Sequence, residues 1–276
     1  MNKFYVIVVL VVLLNQVGAT AIISFFEEFP NEDTLEKVRQ LDFDTKIYMA
    51  AKSLPDFYAL KESYQSANER VIEVIYWPVL EKEEGYWISP WADKQALERI
   101  FNEIKERPDG EHLEVMLDLE LPLERSTLLN LGNFLGNKKL ISNFIRNSSD
   151  HNISVITVES LWMPEWFMKL IGLAYNSEVY GNRRIKMFYS SFSRARLPDS
   201  HVDQAFKKAI NLFETDDIIP ALGCIDVGIN GNEPINSPEV LDKELRLISG
   251  KDIEEVVIFR LSGLNEEYSK VIKKYS

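Results

Sequence analysis

Leu113-Glu114-Val115-Met116-Leu117-Asp118-Leu119-Glu120-Leu121-Pro122 alternates apolar and acidic residues over nearly its whole length. Read as a strand, its period of two puts Val115, Leu117, Leu119 and Leu121 on one face and Glu114, Met116, Asp118 and Glu120 on the other. An all-aliphatic face needs cover, which helices supply. The opposite face carries three carboxylates in line, a costly arrangement unless they are paired, hydrogen-bonded or used in chemistry.

Outward from this stretch, short β-rich runs alternate with longer amphipathic ones, as in βα units around a parallel sheet. Expected strands are Ile22 to Phe26, Lys46 to Ala51, Val71 to Trp77, Leu113 to Pro122, Ser154 to Glu159, Ile185 to Ser190, Ile218 to Asp226 and Val256 to Leu261. Helical patterns separate them, among them Asn31 to Leu41, Asp93 to Glu106 and a long region from Glu124 to Asn147 that contains Gly132 and Gly136. Eight such repeats predict an α/β fold of (β/α)8 TIM-barrel type, a single domain of about 250 residues. The competing open doubly wound sheet usually carries a glycine-rich first turn, and Phe25-Phe26-Glu27-Glu28-Phe29-Pro30 has no glycine.

Ahead of the barrel, Lys3, the apolar run from Phe4 to Leu14 and the small residues Ala19-Thr20-Ala21 read as an export signal. The expected organisation is a signal peptide over 1–21 and a barrel domain over 22–276, secreted or extracytoplasmic, and membrane-anchored if the signal is kept. The apolar run falls short of the roughly 20 residues of a bilayer span, so no integral span is expected after cleavage. The single cysteine, Cys224, rules out an intrachain disulfide framework and reads as a core thiol. Asn147 and Asn152 begin glycosylation sequons.

A formal charge of −12, with 43 acidic against 31 basic residues, argues against nucleic acid as a partner. His112, His151 and His201 are scattered, so no metal site is readable. With no phosphate loop or nucleophile elbow either, no cofactor is expected.

Barrel sites lie at the C-terminal strand ends. Glu27, Glu28, Lys52, Tyr76, Trp77, Asp118, Glu120, Glu159, Trp162, Tyr189, Asp226 and Arg260 fall near those ends. Carboxylates interleaved with aromatic rings suit a sugar, whose ring faces stack on Trp and Tyr while its hydroxyls meet charged groups. Trp87 and Trp91, in the long loop from Pro78 to Trp91, are candidate lid or stacking residues. The expected partner is thus an oligo- or polysaccharide. Glycoside cleavage needs a proton donor at the leaving oxygen and a second stabilising group. Glu120 is the candidate donor, because Asp118 on the same face would repel its anion and hold its proton to higher pH. Asp226 on strand seven and Glu159 on strand five are candidate second carboxylates. The competing reading of Asp118 and Glu120 is a structural network with Arg260 or Lys52.

Asp118-Leu119-Glu120 resembles the last half of the Asp-x-x-Asp-x-Asp-x-Glu strand-four motif of the chitinase-type glycoside hydrolases, family eighteen. Met116 stands at the middle aspartate and Leu113 at the first. Met187-Phe188-Tyr189-Ser190 resembles that family's Met-x-Tyr-Asp or Met-x-Tyr-Asn strand-six pattern, without its acid. Tyr76-Trp77-Pro78 replaces the third-strand Ser-x-Gly-Gly, and Val257-Ile258-Phe259-Arg260 puts an arginine near the place of the family's eighth-strand tryptophan. The resemblance implies Glu120 as general acid, Asp118 as the residue orienting a substrate N-acetyl group, and Tyr189 as its hydrogen-bond partner in a substrate-assisted mechanism. It also leaves open a catalytically silent barrel that binds a saccharide or a cell-envelope partner.

Overall fold

The computed structural model describes residues 21–107, 110–122, 132–161, 163–215 and 218–276. Eight parallel strands form a closed barrel in chain order, with β8 returning to pair with β1. The strands are β1 (Ile22–Glu27), β2 (Thr45–Ala51), β3 (Val71–Pro78), β4 (Leu113–Asp118), β5 (Ile153–Ser160), β6 (Arg183–Phe188), β7 (Ile218–Leu222) and β8 (Glu255–Phe259). The expected barrel is therefore observed, with four strand ends revised. β4 stops at Asp118, so Glu120 lies two residues beyond it; Tyr189, Asp226 and Arg260 likewise lie past β6, β7 and β8.

Helices on the outside follow the strands, and several begin on side-chain caps that satisfy otherwise orphaned N–H groups. In α1 (Glu32–Arg39), the Asn31 side chain accepts from the Thr34 N–H at 3.0 Å and the Thr34 hydroxyl accepts from the Asn31 N–H at 3.0 Å. Ser53 caps α2 (Leu54–Ala67) and Asp93 caps α3 (Lys94–Lys105). Further helices are α4 (Phe134–Asn147), α5 (Glu165–Ile171), α6 (Ser177–Tyr180), α7 (Ser190–Arg194), α8 (Asp199–Thr215), α9 (Pro238–Ile248) and α10 (Glu266–Ile272). Gly136 sits inside α4; residues 123–131 of the long helical expectation fall outside the described residues. Among the described residues, no helix is long and apolar enough to cross a membrane.

The two faces of each strand supply two cores. Val115, Leu117 and Leu119 join the large outer core beneath the helices, while Met116 joins the inner barrel cluster with Tyr48, Ile75, Ile156, Ile185 and Val257. Below that apolar layer, the floor of the barrel is polar. Lys46 pairs with Glu73 at 3.0 Å, Arg183 reaches Glu114 at 3.3 Å and Glu255 at 3.5 Å, and the Tyr48 hydroxyl donates to Glu255 at 2.8 Å. Glu114, the deepest acid of the opening stretch, is held here, its pKa raised to about 7 by burial and by neighbouring Glu73. This apolar layer separates Glu114 from Asp118 at the other end.

Candidate active site

At the C-terminal end the barrel opens into a cavity of about 620 Å³, within the size range of small-ligand sites. Aromatic rings form part of its wall, among them Phe26, Trp77, Trp87, Tyr189 and Phe259. Phe26 packs on Trp77 at 5.7 Å and on Phe259 at 6.3 Å between ring centroids, and Tyr189 packs on Phe259 at 5.7 Å. The Tyr189 ring also lies against Gly223, where a built Cβ would come 2.6 Å from its Cδ1. Only glycine permits that approach.

Into this apolar enclosure project Asp118, Glu120 and Glu28. Asp118 ends β4 on its inner face; its Oδ1 is buried with no hydrogen-bond partner among the described residues. Burial raises its pKa well above the usual aspartate range, and Glu120 and Glu28 push it the same way. Glu120 is raised to about 7 by burial and then by Glu28. Glu28 is raised to about 7 by burial, against the opposing hydrogen bond from the Tyr86 hydroxyl at 2.9 Å. None of the three makes an ion pair with a described residue. They form an interacting group whose first ionisation makes the next harder.

Folding itself should respond to this crowding. A carboxylate whose folded pKa exceeds its unfolded value binds more protons when folded, so stability falls as pH rises between the two values. Glu28→Gln is therefore expected to flatten the loss of stability from about pH 4.5 to 7, since the unfolded carboxyl titrates near 4.3 and the folded one near 7. Urea unfolding at several pH values checks this. A parallel pH profile for wild type and variant would refute it.

The other sequence-derived candidates separate by strand face. Trp77 and Trp87 line the cavity. Tyr76 points outward and stacks on Phe57 at 4.8 Å. It cannot reach a ligand in the barrel mouth. Glu159 also points outward, fully buried, bonded to Arg184 at 2.8 Å and Lys186 at 2.6 Å. It belongs to a buried ion-pair cluster outside the cavity lining. Arg260 leaves β8 on its outer face, donates to Glu27 at 3.3 Å and Asp226 at 3.1 Å, and lies over the Phe29 ring. Asp226 also accepts from the Ser262 hydroxyl at 2.6 Å, and it is absent from the cavity lining. Arg260 and Asp226 thus clamp the ends of β1, β7 and β8 together. Phe259, the last residue of β8, lines the cavity. Lys52 pairs with Glu81, away from the carboxylates. Trp162 lies outside the described residues.

The loop from Pro78 to Trp91 divides in two. Tyr86 and Trp87 face the cavity side, the first bonding Glu28 and the second lining the wall. The Ile88 N–H donates to the Asp118 carbonyl at 3.1 Å, tying the loop to the end of β4. Trp91 instead belongs to the outer core against Phe134, and the Asn137 side chain holds the Pro90 and Ala92 carbonyls. Trp91→Ala is therefore expected to cost ~3–5 kcal/mol of stability, and Trp87→Ala clearly less, with the larger effect on ligand affinity. Denaturant melts of both variants test the division, which equal losses would contradict.

Reasoning from the sequence missed Glu233 and the distinct fates of Glu27 and Glu28. Glu233, on the loop after β7, lines the cavity, and a Cβ built at Gly228 would meet both Glu28 and Glu233 within 3.2 Å. Cys224 is buried as expected, but in the cavity wall, its thiol pushed up to about 12 by burial and so protonated. Among the described residues, no three His, Cys, Asp or Glu side chains are placed to hold a metal ion.

No family model matches the chain, and no curated protein matches it. The chitinase-type resemblance therefore rests on its motif residues alone. Among solved structures, the chain is similar to a D-tagatose 3-epimerase-like protein, with 14% identity and a TM-score of 0.52 over 92% of this chain and 96% of that one. It is also similar to a D-allulose 3-epimerase from Methylomonas sp., with 12% identity and a TM-score of 0.51 over 93% and 98% of the two chains. At such identities the likeness shows the barrel fold.

Proposed function

We propose that the chain is an exported carbohydrate-active barrel that cleaves a glycosidic bond, with Glu120 as general acid. One observation carries this reading. Asp118 and Glu120 enter a largely apolar cavity beside Glu28 with no ion-pair partner among the described residues, an arrangement that favours a protonated carboxyl group. A protonated Glu120 delivers that proton to the leaving oxygen, and Glu28, once ionised, stabilises the oxocarbenium-like centre. Tyr189 and Asp118 flank the space in which a substrate group would be oriented. The outward-facing, ion-paired position of Glu159, and the pairing of Asp226 with Arg260 outside the cavity lining, argue against either as nucleophile. Export rests on Lys3, the apolar run and Ala19-Thr20-Ala21; a mature chain beginning at Ile22 would support it.

The second reading is a barrel that binds a saccharide without cleaving it. Met116, under Asp118 on the inner face, favours it, since the resemblance expects an acid there. Incubation with a panel of oligosaccharides separates the two. Cleavage by the wild type that Glu120→Gln abolishes supports the first, cleavage that survives the substitution removes Glu120 as the acid, and binding without cleavage supports the second.

A further inference from the structure

The charges of the cavity are unbalanced. Glu28, Asp118, Glu120 and Glu233 line it, and the one cationic lining residue among those described, Arg196, is exposed at its rim. The acids are not spare surface charge. Glu28 and Asp118 are each only 5% exposed, and Asp118 Oδ1 and Glu233 Oε2 are buried with no hydrogen-bond partner among the described residues. A buried carboxylate left in this state is costly, and a ligand that completes it gains accordingly.

The remaining wall narrows what that ligand is. The carboxylates are not grouped to hold a metal ion, whereas they surround a space of organic-molecule size. The rings of Phe26, Trp77, Trp87, Tyr189 and Phe259 share it, and aromatic rings attract organic cations. An ammonium group donates to carboxylates through short charge-assisted hydrogen bonds. Trp77 adds a different demand, because its Nε1–H is a buried donor without an acceptor among the described residues. A ligand that combines a cation with oxygen acceptors meets both demands.

We infer that the cavity takes an amino sugar bearing at least one free ammonium group, set against Glu28 and Asp118 and beside the ring of Trp77. This inference rests on the reading of the cavity as a saccharide site, and it names the class of saccharide. An uncharged sugar would satisfy Trp77 but gain little from the acids, whereas an ammonium group draws a neighbouring carboxyl into its ionised form and pairs with it. An anionic sugar would bring a further negative charge beside four acidic groups.

The test is calorimetric titration of the full chain with β-linked oligomers of glucosamine, N-acetylglucosamine and glucose of equal length, at low salt. The glucosamine oligomer is expected to bind about tenfold or more tighter than either neutral one. Glu28→Gln and Asp118→Asn should each shrink that preference, and added salt should weaken the charged ligand selectively. Thermal melts of both variants establish that they are folded. Equal or tighter binding of a neutral oligomer overturns the inference, as does failure of all three to bind. Selective binding of glucosamine oligomers without cleavage leaves it standing and removes the hydrolytic reading. Cleavage of a neutral oligomer with no preference for the amine does the reverse.

Discussion

Glu120→Gln is expected to lower turnover of a cleaved oligosaccharide by ~10²–10⁴-fold, with ligand affinity and thermal stability kept. Glutamine has nearly the shape of glutamic acid but no proton to give to a leaving oxygen. It also takes one potential negative charge out of a site already holding Asp118 and Glu28 without ion-pair partners, so the fold has no reason to suffer. In the wild type, Glu120 must be protonated to act, and its pKa is raised to about 7. Activity should then fall as pH rises through that value. Glu28 helps to raise it, so Glu28→Gln should move the falling limb to lower pH. Steady-state kinetics over a pH series give both numbers, and retention of more than a tenth of wild-type turnover by Glu120→Gln would remove it from the reaction.

Glu159→Ala should damage the fold and not the chemistry directly, at a cost of ~3–5 kcal/mol. The Glu159 side chain accepts from Arg184 and Lys186 through one oxygen, and from the Thr157 hydroxyl and the Tyr175 N–H at 3.0 Å through the other. Glu159, Arg184 and Lys186 are all buried. Removing the acid leaves two cations close together in a place that water does not reach; Glu165 at the edge of the cluster offsets only part of that. The urea midpoint should drop with little change in slope. A variant as stable as wild type but inactive would instead restore Glu159 as a site residue.

The contrast between these two acids shows which parts of the site a sequence can display. β4 alternates carboxylate and aliphatic residues, so its period of two puts Asp118 on the inner face, and Glu120, two residues past the strand end, lines the same cavity. β5 reads Ile153-Ser154-Val155-Ile156-Thr157-Val158-Glu159-Ser160, with aliphatic residues on both faces. Its parity is invisible until Glu159 is seen level with Lys186 of β6 and beneath the helices. The same difficulty hides Tyr76, between Ile75 and Trp77, and Arg260, after Val256 to Phe259. Parallel strands buried on both faces lose the alternation that would orient them.

Glu27 and Glu28 pose the opposite problem. As neighbours at the end of an extended strand they must diverge, yet nothing in Phe25-Phe26-Glu27-Glu28 says which enters the barrel. Barrel closure decides it, by bringing Arg260 and the Ser262 N–H to Glu27 and leaving Glu28 to Tyr86 and the cavity. The eight-strand rhythm was legible because turn and helix signals recur at regular spacing, independently of which face each strand presents. Glu233 gave no such signal, since a loop residue reaches the cavity only through the path of its backbone.

The central claim is that a carboxyl group at the end of β4 stays protonated near neutrality. Carbon-detected NMR titration of the side-chain carboxyls, with Glu120 assigned by its loss in Glu120→Gln, measures this without a substrate. A Glu120 midpoint near 7 that moves down in Glu28→Gln is expected. A midpoint at the ordinary glutamate value of about 4.3, unmoved by that substitution, would contradict it.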